Sequence, residues 1–254
     1  MRIGLFTNNY RPLVNGLASA VAGTAQALRR AGHRVVVVAP RYAGAAAEPD
    51  CLRVPGLRAP THHAYVLPSP WSPAVARAVA DLGLDVYHAQ HPFLLGAAAA
   101  RWARRAGRPL VFTYHTHYER YGHYCPGLAR LAGRLALRRA LRFAGRADLV
   151  VAPTPGVAAR LRARGLRTPI ALVTGDADRE TPLTGVRRIA AHHPDLTVVP
   201  GAGHCQAGNR LPGGWGAWAR QRLEAWGATP PAPVAARPST GGPGGFPVGG
   251  SGRK

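Results

Sequence analysis

Short apolar runs without polar alternation recur along this chain, each bounded by turn signals and separated from the next by a helical stretch. The runs are Arg2 to Thr7, Arg34 to Ala39, Asp85 to His88, Leu110 to Tyr114, Asp148 to Ala152, Ile170 to Thr174 and Leu196 to Val199. A strand whose two faces are both apolar must be buried on both, and intervening helices supply that cover. The pattern therefore predicts an α/β fold with a doubly wound parallel sheet. Helices are expected at Leu17 to Ala31, Ser72 to Leu82, Phe93 to Ala106, Leu128 to Ala144, Gly156 to Arg164, Leu183 to His192 and around Trp215 to Trp226. With 254 residues the chain has enough length for a sizeable core. From Gly227 onward Pro, Gly, Ala and Ser dominate, a composition with too little apolar surface to offset the entropy of ordering, so 227–254 is expected to be a disordered tail.

The formal charge is +22, from 33 basic and 11 acidic residues, and every basic residue except Lys254 is arginine. Such a charge attracts anionic membranes and nucleic acid non-specifically. No zinc finger, RNP-type aromatic motif or helix-turn-helix is legible, so no specific nucleic-acid partner is expected. Cys51, Cys125 and Cys205 are odd in number, far apart and without a CxxC pair, which fits a reducing cytoplasm and no disulfide framework. Met1 to Thr7 is too short and strand-like for a signal peptide, and the longest uncharged apolar stretch, Phe93 to Ala100, is too short to span a bilayer. Membrane contact, if any, is expected to be peripheral.

The strong polar signals of the first half fall where these strands end: Asn15-Gly16, His88 with His91, and His115 with His117. Open parallel sheets bind ligands in the crevice beyond the carboxyl ends of their strands. Asn15-Gly16 stands just before a helix, where a residue without a side chain lets a phosphate approach free amides and the helix dipole. A plain Asn-Gly turn explains the dipeptide equally well, and no GxGxxG is present. The loop after the Leu110 strand packs His115, His117, Tyr118, Glu119, Tyr121, His123 and Tyr124 into ten residues, a mixture suited to sugar hydroxyls. Alternatively, His88, His91, His115 and His117 could converge on zinc, or the loop could be an ordinary polar surface.

The segments HAQHPFLLG, YHTHYERYGHY and FAGRADLVVAPTPGVAARLRARGLRTPI, in consistent order over residues 1–171, resemble the amino-terminal, acceptor-side domain of retaining glycosyltransferases of the GT-B architecture. The first two look most like those of diacylglycerol glucosyltransferases and related glycolipid synthases. The resemblance implies transfer of a hexose from a nucleotide-sugar to a lipid acceptor such as diacylglycerol, with no cofactor and no metal. It implies His115 close to the transferred sugar and Gly16 near the donor diphosphate. Tyr10, Asn15, His88, His91, Glu119 and Tyr121 would shape the acceptor side. Arg130, Arg134, Arg138 and Arg142, spaced by four, form a slowly turning basic stripe, with Leu128, Leu131 and Leu135 expected on another face of the same helix. The stripe is either a solvated surface or a dock for anionic lipid headgroups.

Beyond residue 171 the resemblance stops. The family continues into a second Rossmann domain that holds the donor through two glutamates eight positions apart, and the acidic residues here, Asp176, Asp178, Glu180, Asp195 and Glu224, include no such pair. Instead IALVTGDADRETPLTGVRRIAAHHPDLTVVPGAGH, within 172–226, is similar to the carboxyl-terminal part of α/β-hydrolases, which implies Asp178 and His204 as the remnant of a triad. No GxSxG elbow accompanies them, so hydrolase activity is not expected. As a short β-α-β unit this stretch could extend the preceding sheet. The sequence thus predicts an incomplete glycosyltransferase half, cytoplasmic or peripheral on the inner face of the plasma membrane, with a non-enzymatic membrane-binding module as the alternative.

Overall fold

The computed structural model describes residues 1–60, 64–115, 117–119, 127–175 and 196–199. Eight parallel strands form one sheet: β1 (Arg2–Phe6), β2 (Arg34–Pro40), β3 (Cys51–Val54), β6 (Val86–Ala89), β7 (Leu110–Thr113), β8 (Leu149–Ala152), β9 (Ile170–Gly175) and β10 (Leu196–Val199). A small antiparallel pair, β4 (Gly56–Arg58) and β5 (Val66–Pro68), stands apart from it. The helices are α1 (Gly16–Arg30), α2 (Pro73–Asp81), α3 (Leu95–Ala106), α4 (Ala129–Ala144) and α5 (Pro155–Ala163). The strand order β10-β9-β8-β7-β6-β1-β2-β3 is that of a doubly wound sheet. From β1 the chain winds outward through β2 and β3, then returns to β6 on the other side of β1 and winds away. The point of reversal lies between β1 and β6, and there the connections leave a crevice at the carboxyl edge.

Alternate residues of the strands feed two cores. Ile3, Leu5, Val35 and Val37 pack with Val21, Ala25 and Leu28 of α1. Phe6, Val38, Phe112 and Val150 pack with side chains of α2, α3, α4 and α5. Helix starts follow local chemistry. Asn15, Ser72 and Thr154 accept the amides of Ala18, Val75 and Val157, and Pro73 and Pro155 each stand in the first turn. Gly107, with φ 60°, ends α3 in the left-handed region.

The doubly wound parallel sheet is as the sequence predicts, and helix bounds shift by only a residue or two. Three strands were not anticipated. β3, CLRV, is short, interrupted by Arg53 and only half-buried, and β4 and β5 have just three residues each, too few to stand out as strands. The seam expected at residue 171 falls inside β9, and β10 adds to the edge by pairing Leu196 with Leu172. The predicted helices at 183–192 and 215–226 and the tail at 227–254 lie outside the described residues.

One expectation is corrected. Leu128, Leu131 and Leu135, expected on a face apart from the arginines, are 62%, 53% and 55% exposed. The buried side of α4 is Gly133, Ala140, Phe143 and Ala144. Small residues are needed there because α4 sits close to the preceding loop: a Cβ at Gly133 would lie 2.4 Å from the Glu119 carbonyl oxygen. The leucines consequently share the outer surface with Arg130, Arg134, Arg138 and Arg142, all exposed.

Candidate functional site

Strand alternation delivers His88 and Gln90 to one side of β6, and neighbouring β7 ends at Thr113 with His115 just beyond. His88 Nε2 lies 2.7 Å from Thr113 Oγ1, and His115 Nε2 lies 2.7 Å from Gln90 Oε1. His88, Gln90 and His91 are 4%, 2% and 5% exposed. Two adjacent strand ends are thus tied together by imidazole pairs inside a nearly dry layer.

Asn8 fastens this layer to β1. Its backbone N–H donates to His91 Nδ1 at 3.2 Å, its side-chain amide donates to the Phe93 carbonyl at 3.3 Å, and its Oδ1 accepts from Leu95 N–H at 3.2 Å. The last contact supplies a helix cap that α3 lacks locally, since Leu94 precedes it and has no polar side chain. Leu94 adopts φ 47° and ψ −108°, a conformation a branched side chain rarely takes. The turn is forced by proximity: a Cβ at Gly96 would meet the His91 carbonyl oxygen at 1.6 Å. The closing glycine of HAQHPFLLG therefore lets α3 start against the backbone of the site.

Burial sets the protonation of the cluster. Desolvation pushes His88 and His91 down to about 3 and His115 to about 4, with the charge of His115 adding to the depression of the first two. All three are neutral at physiological pH. His91 accepts at Nδ1, which places its proton on Nε2. With His115 Nε2–H donating to Gln90 Oε1, His115 keeps a lone pair on Nδ1. Gln90 Nε2 is buried with no hydrogen-bond partner among the described residues, an uncompensated donor that costs about 1–3 kcal/mol unless something accepts from it.

The remaining expected site residues distribute around this core. Gly16 begins α1 at the same sheet edge, and nothing among the described residues lies within 4 Å of where its Cβ would be. Asn15 spends its side chain as the cap of α1, accepting from Ala18 N–H at 2.8 Å. The Tyr10 ring is 2% exposed, packed in the core under the guanidinium of Arg53, 5.5 Å away. Arg53, from the unanticipated β3, also donates to the Arg11 carbonyl and pairs with Glu48 at 2.6 Å, holding the β1–α1 loop in place. Glu119 turns toward α5, where Arg160 Nη2 binds it at 2.5 Å, and His117 lies 3.8 Å from the same oxygen. Tyr118 is fully buried, edge-on to Tyr114 and Phe93, pinning the two histidine-bearing loops together.

Tyr121, Asp178 and His204 lie outside the described residues, as do Cys125 and Cys205. Among the described residues, no three His, Cys, Asp or Glu side chains come together to hold a metal, because the imidazoles are engaged by Thr113, Asn8 and Gln90. Asn8, Gln90 and Thr113 escaped the sequence reading. Only Gln90, two residues beyond His88 on an alternating strand, carried a signal that could have found it.

A model of Glycosyltransferase Family 4 matches residues 14–174, well over half of the chain. The chain belongs to this family. It is 32% identical over 152 residues to an alpha-monoglucosyldiacylglycerol synthase of Acholeplasma laidlawii, a match covering 58% of this chain and 37% of that protein. It is 33% identical over 130 residues to the synthase of the same name from Streptococcus pneumoniae, covering 49% and 29%. A GDP-mannose-dependent alpha-mannosyltransferase of Mycobacterium tuberculosis is 30% identical over 178 residues, covering 65% and 45%. The chain thus spans less than half the length of these relatives. Among solved structures, sucrose-phosphate synthase from Thermosynechococcus elongatus aligns with a TM-score of 0.50 at 16% identity, covering 90% of this chain and 68% of that one, a likeness of fold.

Proposed function

We propose that residues 1–171 form the acceptor-side half of a hexosyltransferase that moves a hexose from a nucleotide-sugar to a lipid acceptor such as diacylglycerol, with retention of configuration. The observation that carries this reading is the neutral imidazole cluster at the carboxyl edge, at the reversal point of a family 4 sheet. A neutral His115 with a free lone pair, anchored through Gln90, can hydrogen-bond a sugar hydroxyl without placing charge in a dry site. The unpaired Gln90 amide offers a second donor to such a ligand. The open start of α1 at Gly16 suits a diphosphate whose negative charge grows as the sugar departs, since helix amides and dipole stabilise it there. Tyr10, Asn15, His88, His91, Glu119 and Tyr121 act as the wall facing the acceptor, most of them by holding the loops in shape. No cofactor takes part.

In this reading the donor is held by a second domain, residues 172–226 carry the hydrolase-like fragment with Asp178 and His204, and 227–254 form the tail. The protein docks peripherally on the inner face of the plasma membrane through Arg130, Arg134, Arg138 and Arg142. Among the described residues no helix is long and apolar enough to cross a membrane, and the leucines exposed beside the arginines suit the headgroup boundary.

The test is transfer of labelled glucose from its nucleotide to diacylglycerol by the purified chain, with and without His115→Ala. Turnover lost in the variant supports an active enzyme. No turnover, but saturable binding of nucleotide or lipid that His115→Ala weakens, supports a half-site that needs its donor domain, because rate depends on the two substrates being held together. A folded sample that binds neither overturns the proposal.

A further inference from the structure

Away from the strand edge, a groove of about 1050 Å³ runs between α3 and α4. Arg101, Arg104 and Arg108 line it from α3 and the turn that follows. Arg138, Arg139 and Arg142 line it from α4, and Arg146 closes one end. The single carboxylate in the lining, Asp148, already accepts from Leu110 N–H at 2.7 Å. Ion pairs among the described residues reach Arg11, Arg29, Arg53 and Arg160, and none reaches the groove. Arg108 Nη1 is buried with no hydrogen-bond partner among those residues. Seven arginines therefore line the groove, and among the described residues none of them is in an ion pair.

Guanidinium forks match phosphate oxygens in pairs, and unlike imidazoles they cannot shed charge when crowded. The lining also has an apolar part, including Trp71, Leu135 and Ala100, with the Arg101 guanidinium 5.1 Å over the Trp71 ring. A ligand that suits this surface carries a phosphate for the arginines and an organic body for the lip. Single-stranded nucleic acid fits less well, because it needs successive exposed stacking platforms, and of the two rings in the lining Phe143 is buried while Trp71 has Arg101 over one face.

We propose that the α3–α4 groove is a second ligand site, for an organic phosphate, distinct from the strand-edge site. A soluble phosphate ester and a phospholipid headgroup share that chemistry. The proposal does not depend on hexosyl transfer: it uses none of the strand-edge residues, shares only Arg138 and Arg142 with the docking stripe, and His115→Ala should leave it intact.

The full chain is titrated with glycerol 3-phosphate by calorimetry. Separately it is mixed with phosphatidylcholine vesicles with and without phosphatidylglycerol, following the emission that Trp71→Phe removes. The probe variant is Arg104→Gln with Arg139→Gln, one groove arginine from each helix and neither in the stripe assigned to membrane docking. The control is Arg30→Gln with Arg34→Gln, which removes equal charge from exposed positions outside the groove. Saturable binding of glycerol 3-phosphate, weakened about tenfold or more in the probe variant and less than about twofold in the control, is the expected result. The same variant pattern with anionic vesicles alone supports the site and assigns the phosphate to a headgroup. Equal weakening by both variants, no saturable response to either probe, or an oligonucleotide bound more tightly than either probe and weakened by Arg104→Gln with Arg139→Gln overturns it. Retained melting temperatures in both variants confirm that folding is not the variable.

Discussion

At the carboxyl edge of the sheet three imidazoles lie among interlocked loops and are neutral, whereas on the outer side of α3 and α4 seven guanidiniums stand together with their charge intact. The contrast follows from what each group can do when water is withdrawn. An imidazole gives up its proton at modest cost, so His88 and His91 can be buried and used as hydrogen-bonding struts. A guanidinium has no neutral form within reach, so arginine must stay wet, be paired, or wait for an anion. The same domain therefore contains a preorganised polar site that charge would destroy and a surface that only counter-charge completes.

Acid should break the first region and spare the second. The three histidines have folded pKa values below the ordinary 6.5, so the unfolded chain takes up protons that the folded chain refuses. Their contribution is full above about pH 6.5 and is lost as pH falls toward 4 and then 3. With up to three protons coupled, the slope approaches about 4 kcal/mol per pH unit, enough to unfold a domain of ordinary stability before pH 4. Denaturant midpoints measured from pH 7 to 4 should fall steeply. Replacing His88 with Gln should flatten the slope by about a third, and a profile indifferent to that change would mean that His88 is not held neutral. A guanidinium has no neutral form within reach, so anion binding at the groove should persist for as long as the fold does.

Much of this architecture is legible in the amino-acid sequence. Runs such as RVVVVAP and LVFT are apolar on both faces and admit little besides central parallel strands. The strand-end histidines then followed from topology. What was not legible depended on partners distant in sequence. Asn8 looks like any loop asparagine until α3 is seen to start without a cap of its own 87 residues away. Tyr10 reads as an acceptor-side loop residue, but its ring is packed in the core with Arg53, from a strand too short to be recognised, over it. The three leucines of α4 misled in the other direction. Their spacing sets them on another face from the arginines, yet the loop carbonyl of Glu119 comes so close to Gly133 that small residues must face inward there, leaving the leucines outside with the arginines.

Glycines sharpen the comparison further. Gly96→Ala would drive a methyl group into the His91 carbonyl at the heart of the neutral cluster, where backbone has no room to move. A loss of about 3–5 kcal/mol in urea unfolding is expected, in the range that marks steric failure in a packed site. Gly16→Ala, at the mouth of the same site, meets nothing within 4 Å and should change stability by less than about 0.5 kcal/mol. Its effect, if the diphosphate approaches α1 there, is confined to nucleotide binding. Equal destabilisation by the two would show that the strand edge is not divided into a packed interior and an open mouth.

The smallest effect on stability should come from the outer face. Leu131 and Leu135 are more than half exposed, so Leu131→Ser with Leu135→Ser removes little buried area, and the folded chain should lose no more than about 1 kcal/mol for the pair. Docking on anionic vesicles should respond differently. If these side chains enter the headgroup boundary beside Arg134 and Arg138, losing them removes apolar insertion at roughly 25 cal/mol per Å² while leaving every arginine in place. Co-sedimentation should then weaken at all salt concentrations, whereas neutralising the arginines should weaken it mainly at low salt, where their attraction is unscreened. A serine pair that binds vesicles as tightly as the parent would reduce α4 to a purely electrostatic surface, and the exposed leucines would have no part in docking.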